Sequence, residues 1–496
     1  MLIRNARAWP GAQLAGGYRG DGHRADAVTL DSLPRTDVRL AGGLISECGT
    51  GLRPEPGEPD IDAAGGLLLP GLHDHHVHLR ALAAAAASVA AGPPQTSTAD
   101  ELAARLRAAD ATLPPGSWLR AVGYHESVAG DLDRDALDRL LPHRAVRVQH
   151  RTGALWMVNS LAAERLGLDR CELAGVERDA SGRPTGRLWR LDRWLAERVP
   201  GTAADLDAVS RQAAALGVTG FTEATPGATS DDLASLAAAP VAQRLHCMAP
   251  PGVAPPLELV AGKPAADGQA TNRAAVPARV TAGPEKVLLD DTTLPSLEEF
   301  ARRIGSAHAD GRPVAVHCVT RVQLVLTLAA LDLAGRRPGD RIEHGAVIGP
   351  ESVADLRGLT VVTQPHFVVE RGEQYAADVP PADQPDLWRL RSLIDGGVSV
   401  AAGTDAPYGA ADPWQAMRAA VRRPARFRPE EAVSPATAIA LFLGQAAAPG
   451  RPRLIAPGHP ADLALLRAGP REAFDSLSSD LVAATLVAGQ LTYSRL

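Results

Sequence analysis

A chain of 496 residues with 45% hydrophobic and 22% charged residues has the balance of a folded globular protein, not of a fibrous or disordered one, and is longer than one ordinary domain. Its formal charge of -6 supplies no basic field for nucleic acid or an anionic membrane, so the expected partner is a small molecule. Four widely spaced cysteines, Cys48, Cys171, Cys247 and Cys318, form no Cys-x-x-Cys pair. They argue against a disulfide framework or a thiolate zinc site and for reduced thiols in a cytoplasmic protein. The first residues lack the apolar core of a secretory signal, and Ala81–Ala91 is too short to span a bilayer.

Along the chain, short alternating segments near 36–49, such as Val38-Arg39-Leu40 and Leu44-Ile45-Ser46-Glu47, predict a small β structure over 1–66. A matching β-rich tail over 446–496 runs through Asp462–Leu466 and 481–493, with Ala488-Gly489-Gln490 as a turn. The two ends are expected to pair into one small domain. Residues 67–95 begin with the apolar run Leu67-Leu68-Leu69-Pro70-Gly71, which leads straight into His73-Asp74-His75-His76-Val77-His78. On a strand, alternate residues share a face, so Asp74, His76 and His78 would project together and two imidazoles could grip one divalent ion. The alanine-rich stretch that follows predicts a helix.

Residues 96–205 contain their own strand candidates, Trp118–Val122 and Val146–His150, and a helix near Ala99–Ala109. They are expected to form an insertion that shapes substrate access. From 206 to 445, strand-like runs alternate with helical ones: Val218–Glu223, Arg244–Met248, Lys286–Leu289, Val314–Cys318, Arg341–His344, Val361–Gln364 and Val398–Gly403. With the histidine strand these make eight, the number that closes a (β/α)8 TIM-like barrel, whose active site lies at the C-terminal strand ends. His76, His78, Lys286, His317, His344 and Asp405 all fall at or near such ends. The proline-rich pieces at 249–256 and 378–385 are expected to be loops or lids.

Lysine occurs only at Lys263 and Lys286. A bias toward arginine explains its replacement wherever a generic positive charge suffices. A retained lysine therefore draws attention, because an amine can lose its proton and act as a nucleophile and a guanidinium cannot. His317 and His344 close separate strands, as does the His pair, and Asp405 follows another in Gly403-Thr404-Asp405-Ala406-Pro407. Together they favour a shared ion, although Asp405 is also placed for an Asx turn.

These motifs resemble the metal-dependent amidohydrolase superfamily, within it the amidohydrolase-3 group that includes N-substituted formamide deformylase-like enzymes. The resemblance covers nearly the whole chain and implies that the terminal β segments build a composite β-sandwich and the central part a metal barrel. Its carriers are Pro70–His78, Lys286–Asp290, Val316-His317, Ile342-Glu343-His344, Gln364-Pro365-His366 and Gly403–Pro407. It implies His76, His78 and Asp405 as ligands of a deeper metal and His317 and His344 as ligands of a second. Lys286 resembles the lysine that in many relatives takes up carbon dioxide as a carbamate bridging both ions. It also implies Asp405 as the group that takes a proton from the nucleophile and returns it to the leaving nitrogen, with His366 as a candidate substrate contact. Zinc suits imidazole and carboxylate best, with iron, nickel or manganese as alternatives, in one or two ions. The implied reaction is hydrolysis of a non-peptide C–N bond, amide or formamide-like. A mononuclear deaminase or cyclic-amide hydrolase and a non-catalytic binding barrel are the alternatives, and a homo-oligomer is compatible with all three.

The chain also departs from the group. Cys318-Val319-Thr320-Arg321 follows the strand-five histidine where Gly-Asp is usual, and Asp290-Asp291 stands where Asp-Gly is usual. In the insertion, Ala154 occupies a position normally held by His, and Arg190 one normally held by Glu. The expected metal ligands persist while the expected pocket is altered.

Overall fold

A computed structural model describes residues 1–10, 33–199, 204–250, 252–253 and 278–496. Lys263 and part of the 249–256 segment lie outside the described residues. The chain divides into two compact units, one of Met1–His78 with Leu206–Leu496, the other of Leu79–Asp205.

In the first unit both chain ends enter one hydrogen-bonded sheet of eight strands. Its order is Gln490–Ser494, Val482–Val487, Leu463–Leu466, Leu67–Pro70, Leu2–Ala8, Arg35–Ala41 and Leu44–Gly49, with Asp60–Asp62 also paired to Leu2–Ala8. The expected composite of both termini is present as one continuous hydrogen-bonded sheet. Its seam is the antiparallel pairing of Leu463 with Pro70 and Leu465 with Leu68. Ile3, Val38, Ile45, Leu68, Leu463, Leu465 and Leu486 form its buried core. The apolar run ahead of the histidines therefore serves the terminal sheet. The chain crosses to its next sheet at Gly71, where an added Cβ would lie 2.1 Å from the Thr219 side chain.

The parallel strands that follow form two sheets. One is four-stranded, in the order Val280–Ala282, Arg244–Cys247, Val218–Glu223, Leu72–Val77; the other is five-stranded, running from Glu285–Val287 through Val314–Cys318, Arg341–His344 and Thr360–Thr363 to Ser399–Ala402. The single closed ring expected from eight strands is thus not formed as one ladder among the described residues. The break has a local cause. The expected strand at Lys286–Leu289 is realised as the short strand Glu285–Val287 at the edge of the five-stranded sheet, and a further short strand that was not expected, Val280–Ala282, edges the four-stranded one. Gly283-Pro284 separates them, and proline has no N–H with which to continue a ladder. At the opposite edge the two sheets are bridged where Asp405 N donates to His76 O at 2.7 Å and His78 N to Ala406 O at 2.9 Å.

Alternation sorts these strands into an apolar outer face and a polar inner one. Val314, Val316, Cys318, Ile342 and Val361 join Phe300, Ile304, Leu324 and Leu331 of the flanking helices in one cluster. Ala315, His317, Arg341 and Glu343 occupy the alternate positions. Helix Leu297–Ala309 shows how the sequence sets an element. Ser296 and Glu299 form a capping box, Phe300, Ala301, Ile304 and Ala307 are buried at helical spacing, and Gly311 at φ +78 lies just past its end.

The second unit carries a six-stranded sheet, Val176–Arg178, Pro184–Trp189, Leu155–Val158, Val146–His150, Leu119–Tyr124 and Val89–Ala90. The helix expected after the histidine strand spans Leu79–Ala86. Val89–Ala90 beyond it pairs with Leu119–Tyr124 in this sheet. The two departures noted in this region meet, with Arg190 N donating to Ala154 O at 2.8 Å. Among the described residues no helix is long and apolar enough to cross a membrane.

Candidate metal centre

The histidine strand is irregular where it matters. Its ladder pairs Phe221 with Asp74 but Glu223 with Val77, so two residues on the histidine side oppose one on the partner. Such a bulge resets the alternation. The simple expectation of Asp74, His76 and His78 on one face is replaced by two pairs, with His73 beside His75 at 4.6 Å and His76 beside His78 at 5.4 Å between ring centroids. Asp74 is a clamp. Its carboxylate accepts from Thr404 N at 2.9 Å, from the Thr404 hydroxyl and from His76 N at 3.2 Å, which ties the histidine strand to the Thr404-Asp405 turn. Burial pushes its carboxyl up to about 6 against the opposing pull of those hydrogen bonds.

His76, His78 and Asp405 converge. One ligand atom of each lies within 4.8 Å of the others, with His78 Nε2 3.2 Å and His76 Nε2 3.6 Å from Asp405 Oδ1. The approach depends on Gly403, where a Cβ would lie 2.5 Å from His76 N. Burial raises the Asp405 carboxyl, but the hydrogen bond from His78 and then the neighbouring His344, His76 and His78 imidazoles outweigh it and hold the group well below the usual carboxylate range. Burial and then the Lys286 charge push the His76 imidazole well below its ordinary value, favouring the neutral form that ligates.

The other expected residues gather around this trio. Lys286 Nζ is 3.4 Å from His76 Nε2, and burial lowers the pKa of its amine. The His344 ring lies 4.7 Å from that of His76 and 4.5 Å from that of His317. His344 Nδ1 is held by Gln364 Oε1 at 2.9 Å. Neither His317 nor His344 belongs to the three-ligand group found among the described residues. His344 and Asp405 both have positive φ, +69 and +53, a conformation that is sparsely populated and concentrates at functional sites. His366 is buried, and its Nε2 lies 3.0 Å from Thr404 O. A carbonyl only accepts, so His366 donates and braces the residue before Asp405.

Sequence reasoning missed the groups behind the imidazoles. His76 Nδ1 meets Glu343 Oε2, and Glu343 in turn pairs with Arg341. His78 Nδ1 meets the Thr225 hydroxyl at 3.3 Å, and that hydroxyl donates to Glu223. The one signal available was the i, i+2 spacing of Arg341 and Glu343, which puts both on the face opposite Ile342.

Comparison with known proteins adds the family to this geometry. The amidohydrolase family profile matches residues 61–493. The chain belongs to the amidohydrolase family. As an amidohydrolase it is a hydrolytic enzyme. It is 24% identical over 441 residues to the putative amidohydrolase YtcJ of Bacillus subtilis, covering 79% of this chain and 82% of that protein. It is 30% identical over 160 residues to the N-substituted formamide deformylase of Arthrobacter pascens, a match that spans only 30% of either chain. Among solved structures, a metal-dependent hydrolase from Pyrococcus horikoshii superposes with a TM-score of 0.68 at 16% identity, covering 95% of this chain and 97% of that one. Atrazine chlorohydrolase TrzN from Arthrobacter aurescens, complexed with zinc, superposes at 0.53 and 14% identity, over 99% and 95% of the two chains. At such identities the likeness is one of fold, the TIM-barrel type of α/β metal hydrolase.

Proposed function

We propose that this amidohydrolase cleaves a C–N bond other than a peptide bond, in an amide or formamide-like small molecule, with a divalent cation held by His76, His78 and Asp405. The observation that carries the reading is the convergence of two imidazoles and one carboxylate at the end of adjoining strands. Two nitrogens and an oxygen are a donor set suited to zinc, which also leaves room for water and substrate. His344 and Lys286 stand next to the trio, and His317 lies against His344; together they could complete a second position. Lys286, with its amine pKa lowered by burial, has the property that addition of carbon dioxide requires. The formamide deformylase match supports the substrate class.

A bound cation supplies a water whose pKa falls from about 15.7 toward about 7 and an electrophile for the carbonyl oxygen. The chain's own residues do the rest. Asp405 is ionised and fixed by His78, ready to take a proton from the attacking water and return it to the departing nitrogen. The clamp of Asp74 and the brace of His366 keep the Asp405 turn from swinging away.

A second reading, a mononuclear enzyme of the deaminase or cyclic-amide hydrolase kind, is favoured by one observation: among the described residues only one three-ligand group forms. Metal analysis combined with intact mass separates the two. Two ions and the added mass of a carboxylated lysine support the binuclear form, and one ion with unmodified Lys286 supports the mononuclear form. Hydrolysis assayed over a panel of formamides, linear amides and cyclic amides tests the substrate class. Turnover of none of them, in a protein that holds its metal, would remove it.

A further inference from the structure

We infer that Glu343 and Arg341 form a positioning pair that fixes the orientation and tautomer of His76 toward the cation, an inference that rests on the metal reading above. The contact runs through the interior and not along a ladder. Strands Thr360–Thr363 and Ser399–Ala402 stand between Arg341–His344 and the histidine strand, yet the Glu343 carboxylate reaches His76 Nδ1. Both partners are out of water, with Glu343 at 0% and Arg341 at 2% exposure. Arg341 Nε donates to Glu343 Oε1, and Arg341 Nη2 donates to His75 O at 3.3 Å, so the guanidinium grips the carboxylate and the backbone next to His76 at once.

The chemistry follows from what each group can donate. An ionised carboxylate carries no proton, so the proton in this contact belongs to His76 Nδ1. The lone pair is then on Nε2, the atom 3.6 Å from Asp405 Oδ1 and 3.4 Å from Lys286 Nζ. Turning the ring, or moving the proton to Nε2, would remove the donor atom from the group of three. A carboxylate behind a ligating imidazole both fixes the tautomer and raises its basicity. Arg341 compensates the charge of Glu343, which without it would be a buried unpaired anion.

A purely structural ion pair is the competing explanation, and metal affinity separates the two. Zinc affinity is measured by chelator competition on the full chain for the parent and for Glu343→Gln, Arg341→Lys, His76→Ala and Glu431→Gln. The last removes a buried charge that Arg389 and Ser392 hold elsewhere in the fold. Chemical unfolding of each metal-stripped protein and the visible spectrum of each cobalt-loaded one accompany it. Glu343→Gln is expected to weaken zinc binding by roughly 10- to 100-fold and to change the cobalt spectrum. Arg341→Lys is expected to do the same to a smaller degree, and Glu431→Gln to lose stability while keeping parental affinity. Parental affinity and spectrum in Glu343→Gln would overturn the inference alone; should that variant not fold, the same result in Arg341→Lys would do so. An affinity loss in Glu431→Gln equal to that in Glu343→Gln would reassign the pair to stability. A parent that binds no zinc, or a His76→Ala variant that binds it as tightly as the parent, would remove the metal reading and this inference with it.

Discussion

The terminal sheet and the parallel sheets belong to one compact unit but are filled in opposite ways. Leu463–Leu466 and Val482–Val487 read Leu-Ala-Leu-Leu and Val-Ala-Ala-Thr-Leu-Val and are wholly buried. Leu72–Val77 and Arg341–His344 are equally buried, yet carry His73, Asp74, His75 and His76 in one strand and Arg341, Glu343 and His344 in the other. Burying ionisable groups is unfavourable unless each is paired or coordinated. The difference teaches that the first region is selected for cohesion and the second for chemistry.

The comparison is sharpened first at Asp405. Asp405→Asn keeps the size of the side chain but removes the proposed base, so turnover is expected to fall by a factor on the order of 10²–10⁴, while the midpoint of chemical unfolding stays near that of the parent. A variant that unfolds instead of losing turnover would blur the division. Leu465→Ala in the terminal sheet should do the reverse. It is expected to lose about 2–5 kcal/mol of stability, as large-to-small core changes do, with the activity of the remaining folded protein unchanged in steady-state assays.

Acid should strike the polar interior and spare the apolar sheet. His246 is pushed down to about 3, by burial first and then by the charges of Arg341 and Arg312. Between that value and the ordinary one near 6.5 the unfolded chain binds a proton that the native chain refuses. Stability is therefore independent of this group above about pH 6.5 and falls below it by about 1.4 kcal/mol per pH unit, down to about pH 3. His73 and His75, also depressed by burial, steepen the fall. Denaturation midpoints at pH 8, 6 and 5 check it; a flat profile would mean that these histidines are charged in the native state.

Much of this division was legible in the sequence. Buried parallel strands are short apolar runs, so the strand positions after 215 could be read directly. His76-x-His78, the rare lysine Lys286 at a strand end, and the other polar residues at strand ends named the neighbourhood of the candidate site. What was not legible depends on contacts that leave no local pattern. Leu67–Pro70 is apolar enough for either sheet, and only its pairing with Leu463–Leu466 assigns it to the terminal one. The bulge at His75 and His76 appears only against the partner strand. Glu343 is 267 residues from the imidazole it touches, and Asp74 is 330 from the Thr404 it clamps. The proline that interrupts the ladder at Gly283-Pro284 was visible, and its effect follows from the missing N–H.

The smallest expected effect compares the two imidazoles themselves. His76 is backed by a carboxylate directly, whereas His78 is backed through a hydroxyl. Thr225→Val removes that relay without leaving a charge unpaired at the ring. It should weaken metal binding by no more than about 10-fold, the lower end of such effects, measured by the same chelator competition. A loss greater than that of Glu343→Gln would reverse the ranking of the two contacts.

Metal content of the purified protein tests the central claim most directly, measured by elemental analysis for the parent and for His76→Ala and His78→Ala beside a turnover assay on the metal-stripped enzyme. The expected result is a stoichiometric divalent metal in the parent, its loss in both variants, and activity that disappears on stripping and returns on adding zinc. Parental metal content in the variants, or full turnover by the stripped protein, would contradict it.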